Sequence, residues 1–134
     1  MITGRCYCGE TVYEYAGEVI FHAQCHCAEC QVYTGGGPNY FMLGRRDAFR
    51  FTSGEPVTYT RTDLDQPVTR AFCPTCHTGV ANFREEGTVV MKVGTLDDPS
   101  DYKGPAAAIY LCDKRAFHMV PEGLPGFERL PPRR

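Results

Sequence analysis

The chain has 134 residues, 43% of them hydrophobic and 22% charged, a balance that excludes both a disordered segment and a membrane-embedded one. Fourteen basic against sixteen acidic side chains leave a net charge of −2, without the basic excess of a non-specific nucleic-acid binder. Eight cysteines are too many to be ordinary core residues, so their arrangement decides the kind of protein.

Met1 to Cys6 contains no basic stretch followed by an apolar one, the mark of a signal peptide. No apolar run approaches the ~18 residues that cross a bilayer. The expectation is one domain over 1–134, cytoplasmic, with reduced thiols and no membrane or nucleic-acid partner. Clustered cysteines in that setting read as metal-binding or catalytic before they read as disulfides.

In chain order, short β-type runs dominate: Thr11–Tyr15, Val19–His22, Asn39–Leu43, Phe49–Phe51, Val57–Arg61, Val68–Phe72, Gly79–Phe83, Thr88–Val93 and Ala108–Leu111. β-Branched and aromatic residues alternate with polar ones, and Gly, Pro or Asp separates the runs. That pattern predicts an antiparallel all-β domain. Arg84-Glu85-Glu86-Gly87 predicts a hairpin, with Gly87 supplying a positive φ. One helical turn is predicted over Ala28–Thr34, stopped by Gly35-Gly36-Gly37-Pro38. The tail after Pro121, ending Pro131-Pro132-Arg133-Arg134, is expected to run over the surface and fray.

The cysteines fall as Cys6-x-Cys8, Cys25-x-Cys27-x-x-Cys30, Cys73-x-x-Cys76 and Cys112. A C-x-x-C pair on a tight turn brings two thiolates to one metal, and a C-x-C pair on extended backbone does the same because residues i and i+2 share a face. Cys6, Cys8, Cys73 and Cys76 supply a complete four-thiolate structural zinc site. Cys25, Cys27 and Cys30 leave three thiolates on one loop, the pattern of a catalytic zinc with an open fourth position. On the residues alone, disulfides, an iron–sulfur cluster, or a closed second site using His22, His26 or His77 also compete. His26 would point away from the metal on extended backbone, and Cys112 is expected as a buried small hydrophobe in the last strand.

Gly4-Arg5-Cys6-Tyr7-Cys8-Gly9, Cys25-His26-Cys27-Ala28-Glu29-Cys30, Gly36-Gly37-Pro38, Phe72-Cys73-Pro74-Thr75-Cys76, Gly94 to Pro99 and Gly123 to Phe127 resemble, in order, the motifs of the glutathione-dependent formaldehyde-activating (GFA) family, which also contains the centromere protein V domain. The resemblance implies a β-tent fold of small antiparallel sheets with zinc-ribbon-like metal sites. It implies two zincs, a structural one on Cys6, Cys8, Cys73 and Cys76 and a catalytic one on Cys25, Cys27 and Cys30. The implied reaction is that of a carbon–sulfur lyase, joining glutathione and formaldehyde into S-hydroxymethylglutathione. The chain departs from the family pattern at Gln31 (often Arg), His77 (usually Gly), Ala108 (commonly His) and Phe117 (Trp). None of these removes a zinc ligand.

The expected substrate is therefore a small thiol adduct or aldehyde-derived molecule, glutathione among the candidates. His26, Tyr33, Asn39, Tyr40 and Phe41 are the candidate substrate pocket, close in sequence to the three-cysteine loop. Against that, Tyr40-Phe41 also reads as ordinary strand core, and Gly35-Gly36-Gly37 as a flexible turn. The competing reading of the whole chain is a non-catalytic, zinc-stapled binding module.

Overall fold

The computed structural model describes residues 1–132, in the strand order β1 (Ile2–Arg5), β2 (Val12–Tyr15), β3 (Phe21–Cys25), β4 (Asn39–Arg45), β5 (Phe49–Ser53), β6 (Val57–Thr60), β7 (Thr69–Phe72), β8 (Gly79–Phe83), β9 (Thr88–Lys92) and β10 (Ala107–Ile109). Among the described residues a single α-helix, α1 (Ala28–Thr34), lies between β3 and β4. No helix among the described residues is long and apolar enough to cross a membrane.

The strands form a three-stranded sheet, β1-β2-β5, and a seven-stranded sheet, β10-β3-β4-β9-β8-β7-β6. The all-β expectation is what the structure shows, with one correction: β10 runs parallel to β3. After β9 the chain crosses back through residues 93–106 and reaches the far edge of the sheet, where it runs in the direction of β3. β1 had no signal in the sequence, since Ile2-Thr3-Gly4-Arg5 is too short to show alternation.

An aromatic–glycine contact joins the sheets. Tyr13 and Tyr15 are fully buried, with Phe49, Met42, Met91, Val89 and Ala81 packed into the same core. Tyr15 lies so close over Gly44 that a Cβ there would meet its ring at 2.5 Å. The tyrosine hydroxyl donates to Glu18 O at 2.6 Å and accepts from Arg45 N at 3.0 Å, so burying it orphans no polar atom.

The other face of the large sheet carries a different population. Side chains opposite one another in an antiparallel register share a face. The pairs Cys25↔Asn39, Phe41↔Lys92, Asn82↔Val90 and Arg70↔Asn82 therefore put Cys25, Asn39, Phe41, Lys92, Val90, Asn82 and Arg70 on one side of β3, β4, β9, β8 and β7. Its apolar part is a second small core of Ala23, Cys25, Phe41, Val90 and Ile109, packed against Cys27, Cys30, Tyr110 and Phe127.

The tail differs from expectation. Ala108 N donates to Pro125 O and Phe127 N to Ala108 O, both at 2.9 Å, and Tyr110 N donates to Arg129 O at 3.1 Å. Residues 125–129 thus close the open edge of β10 and bring Phe127 onto the second core, which holds them where composition alone suggested fraying. Arg133 and Arg134 lie outside the described residues. Cys112 is also corrected: β10 ends at Ile109, Tyr110 takes a left-handed backbone (φ 55°), and the chain turns outward, leaving Cys112 exposed in the 3-10 turn Leu111–Asp113.

Candidate metal centres and cleft

All eight cysteines are free thiols, and seven of them gather into two clusters. Cys6 and Cys8 flank the turn between β1 and β2; Cys73 and Cys76 flank the turn between β7 and β8. The four sulfurs lie within 4.8 Å of one another, with Cys6 to Cys8 at 3.6 Å and Cys8 to Cys73 at 3.7 Å. A four-coordinate ion with metal–sulfur bonds of about 2.3 Å needs ligand sulfurs just under ~4 Å apart, so the donor set fits such an ion. Backbone N–H groups and hydroxyls reinforce the anionic form. Thr11 N donates to Cys6 Sγ at 3.2 Å, and the Thr78 hydroxyl and backbone hold Cys76 down to about 5.

The two turns share a local shape. Gly9 N donates to Cys6 O and His77 N to Cys73 O, and the residue after each second cysteine is left-handed, Gly9 at φ 83° and His77 at φ 65°. A Cβ in that region costs about 1–2 kcal/mol, which explains why Gly suits the position and His does not. His77→Gly is expected to raise stability by about 1 kcal/mol once the greater freedom of unfolded glycine is subtracted. Urea unfolding checks it; a loss of stability would show that the imidazole makes contacts worth more than the strain.

The second cluster is Cys25 at the end of β3, with Cys27 and Cys30 at the start of α1, all three sulfurs within 4.8 Å. Cys27 is the N-cap: its sulfur accepts Cys30 N at 3.2 Å, while Gly35, left-handed at φ 87°, closes the helix by donating to Gln31 O at 3.0 Å. Hydrogen bonds from Cys25 and Cys30 hold Cys27 down to about 3, and the same contacts push the Cys25 thiol up. Three sulfurs this close compete to be the anion, and a divalent cation removes that conflict.

His26, between these cysteines, is fully buried and points away from them. Its Nε2 pairs with Gln24 Nε2 at 3.0 Å and its Nδ1 with His118 Nδ1 at 2.9 Å, while His118 Nε2 meets Gly36 O at 2.6 Å. Gln31 is buried in the same region; its Nε2 donates to His26 O (2.8 Å) and Asp113 O (2.9 Å), and its Oε1 accepts from Arg115 Nε at 3.1 Å. His118, Gln24 and Arg115 gave no signal in the sequence, because they meet His26 and Gln31 only through the fold.

A cleft of about 460 Å³ is lined by residues next to both clusters, Asn39, Tyr33 and Thr34 near the second and His77 and Thr78 near the first. Of the five candidate pocket residues, Tyr33, Asn39 and Tyr40 line it, whereas Phe41 lies in the second core and His26 in the histidine pair. The three cysteines are not among the lining residues. Asn39, the register partner of Cys25, and Tyr33 and Thr34, on the helix that carries Cys30, connect them to the cleft wall. Across the cleft stand Arg70, Phe72, His77, Asn82 and Lys92. Arg70 sits 4.2 Å over the Tyr33 ring and pairs with Glu29 at 3.4 Å. Burial pulls the Lys92 ammonium below its ordinary value, and the charges of Cys30, Cys27 and Cys25 oppose the shift.

The profile of the glutathione-dependent formaldehyde-activating enzyme family matches residues 1–113. The chain belongs to the GFA family. Its fold is also that of a Rhodobacter sphaeroides protein of known crystal structure, 19% identical, at a TM-score of 0.60 over 77% of this chain and 96% of that one. No curated protein matches. The family match covers both cysteine clusters and the whole wall of the cleft, so the GFA pattern and the geometry coincide at the same residues.

Proposed function

We propose that this GFA protein is a zinc-dependent enzyme of the carbon–sulfur lyase type, acting on a small thiol adduct such as S-hydroxymethylglutathione. The observation that carries this reading is the unequal pair of clusters: four sulfurs around one point, a full ligand set, and three around another, which leaves one position to a substrate. Cys6, Cys8, Cys73 and Cys76 would hold a structural zinc, and Cys25, Cys27 and Cys30 a catalytic one. Bound on three thiolates, the ion would act as a soft, weak Lewis acid, suited to a substrate sulfur or a polarised hydroxymethyl oxygen.

The chain's own residues provide the setting. Asn39 and Lys92 offer N–H donors on the sheet face shared with Cys25, and Tyr33 and Tyr40 wall the cleft. The hydrogen bonds of Gln31 to His26 O and of His26 to His118 fix the backbone between the cysteine ligands, so their sulfurs converge without adjustment. The family name supports glutathione and formaldehyde as the substrate pair.

Metal analysis and an assay of carbon–sulfur bond formation with glutathione and aldehydes test the reading together. Wild type is expected to carry two zincs and Cys27→Ser one, with the variant folded and its activity lost. Retention of both zincs by Cys27→Ser would remove the catalytic assignment. A folded, two-zinc wild type that neither binds nor transforms any thiol would leave the non-catalytic module as the function.

A further inference from the structure

Three side chains on the cleft face make up a set that the metal chemistry does not use. Asn39 on β4 and Asn82 on β8 are more than nine-tenths buried, both line the cleft, and neither amide has a hydrogen-bond partner among the described residues. Between them on β9 is Lys92, which takes part in none of the ion pairs among the described residues. The register fixes their relation. Lys92 faces Phe41, two residues from Asn39, and lies two residues from Val90, the partner of Asn82. Each asparagine is therefore a diagonal neighbour of Lys92 on the same face, a separation that long side chains bridge.

The Asn39 and Asn82 amides are left free at the cleft wall, where a ligand can accept their N–H groups. We propose that Lys92, Asn39 and Asn82 form a carboxylate subsite, so that the cleft selects thiols bearing a carboxylate over neutral ones. This rests on the reading of Cys25, Cys27 and Cys30 as the site that receives the thiol. The charge count favours a carboxylate over a phosphate. Of the lysines and arginines among the described residues that line the cleft, Lys92 alone is in no ion pair, the asparagines are neutral donors, and Arg70 already faces Glu29, so the subsite matches a single negative charge. A carboxylate takes two or three N–H donors at once, which an ammonium and two amides supply.

The test is to titrate the zinc-loaded protein with 3-mercaptopropionate, 2-mercaptoethanol and glutathione, following binding by calorimetry, with metal content measured alongside. The acid is expected to bind about tenfold more tightly than the neutral thiol, the worth of one charge-assisted hydrogen bond. Lys92→Met should weaken 3-mercaptopropionate about tenfold more than 2-mercaptoethanol, erasing that preference, and Lys92→Arg should keep it. Asn82→Ala should weaken it and serves if Lys92→Met does not fold. Equal affinities in wild type, or a preference that survives Lys92→Met, would overturn the subsite. So would an equal loss for both thiols in Lys92→Met, which would make Lys92 only a counter-charge to the thiolates. Glutathione separates the sources: if it binds more tightly than the small acid and loses the same factor in Lys92→Met, the carboxylate is the tripeptide's. Two zincs with equal affinities sink the subsite alone, whereas a single zinc sinks the catalytic assignment as well.

Discussion

Cys73→Ser is expected to leave the protein largely unfolded. Cys73 is fully buried, and its sulfur lies 3.7 Å from Cys8, with the β1–β2 turn on one side and the β7–β8 turn on the other. The cluster therefore ties the three-stranded sheet to the seven-stranded one across a separation of 65 residues. Structural zinc on four thiolates contributes of order 10 kcal/mol, against a total stability of about 5–15 kcal/mol for a domain. The variant should bind one zinc at most and show little cooperative melting by circular dichroism, and a strong chelator should reproduce this in wild type. Cys27→Ser, at the other cluster, should melt close to wild type because α1 and β3 stay tied by Gln31 and the histidine pair. A wild-type melt for Cys73→Ser would mean that the four sulfurs do not share a metal.

Much of this was legible in the sequence where local chemistry decides. The helix over Ala28–Thr34 follows from the glycine stop at Gly35, and the Arg84–Gly87 hairpin from one residue able to take a positive φ, 90° in the structure. The division of seven cysteines into four and three follows from spacing, since C-x-C and C-x-x-C each fix where two sulfurs point. What could not be read depends on register and on chain crossings. Lys92, Asn39 and Asn82 become neighbours only when β4, β9 and β8 pair as they do. Cys112 was misplaced because nothing in Ile109-Tyr110-Leu111 shows the left-handed turn that ends β10. The tail was misread because Pro and Gly mark an irregular backbone, yet irregular backbone still hydrogen-bonds to a free edge.

His118 shows the same dependence on the fold, and its removal carries the second large effect. His118→Ala is expected to cost about 2–4 kcal/mol, roughly 1–3 kcal/mol from the buried His26 N–H left without a partner and about 1 kcal/mol from the half-buried Gly36 O. The proton positions follow from the network. Gly36 O only accepts, so His118 Nε2 carries the hydrogen across the 2.6 Å contact. His118 Nδ1 is then an acceptor, taking Arg115 N at 3.3 Å and His26 Nδ1 at 2.9 Å. His26 Nε2 in turn accepts from Gln24 Nε2, which also donates to Met119 O at 3.1 Å. Both imidazoles are neutral in this arrangement, in keeping with the burial that holds His26 below its ordinary pKa. Alanine at 118 orphans the His26 N–H and Gly36 O together, and it frees the Gly35–Gly37 loop and the backbone between Cys25 and Cys27 from their common anchor. Denaturant unfolding measures the stability; zinc release to a chelator measures the anchor. The zinc of the three-cysteine cluster should leave faster than in wild type, while that of the four-cysteine cluster is unchanged. Met119→Ala is the control, since the Met119 side chain is 79% exposed and should alter neither quantity. A His118→Ala variant as stable as Met119→Ala would mean that the histidine chain does not form. Equal stability loss with unchanged zinc release would confine His118 to the core and separate it from the site.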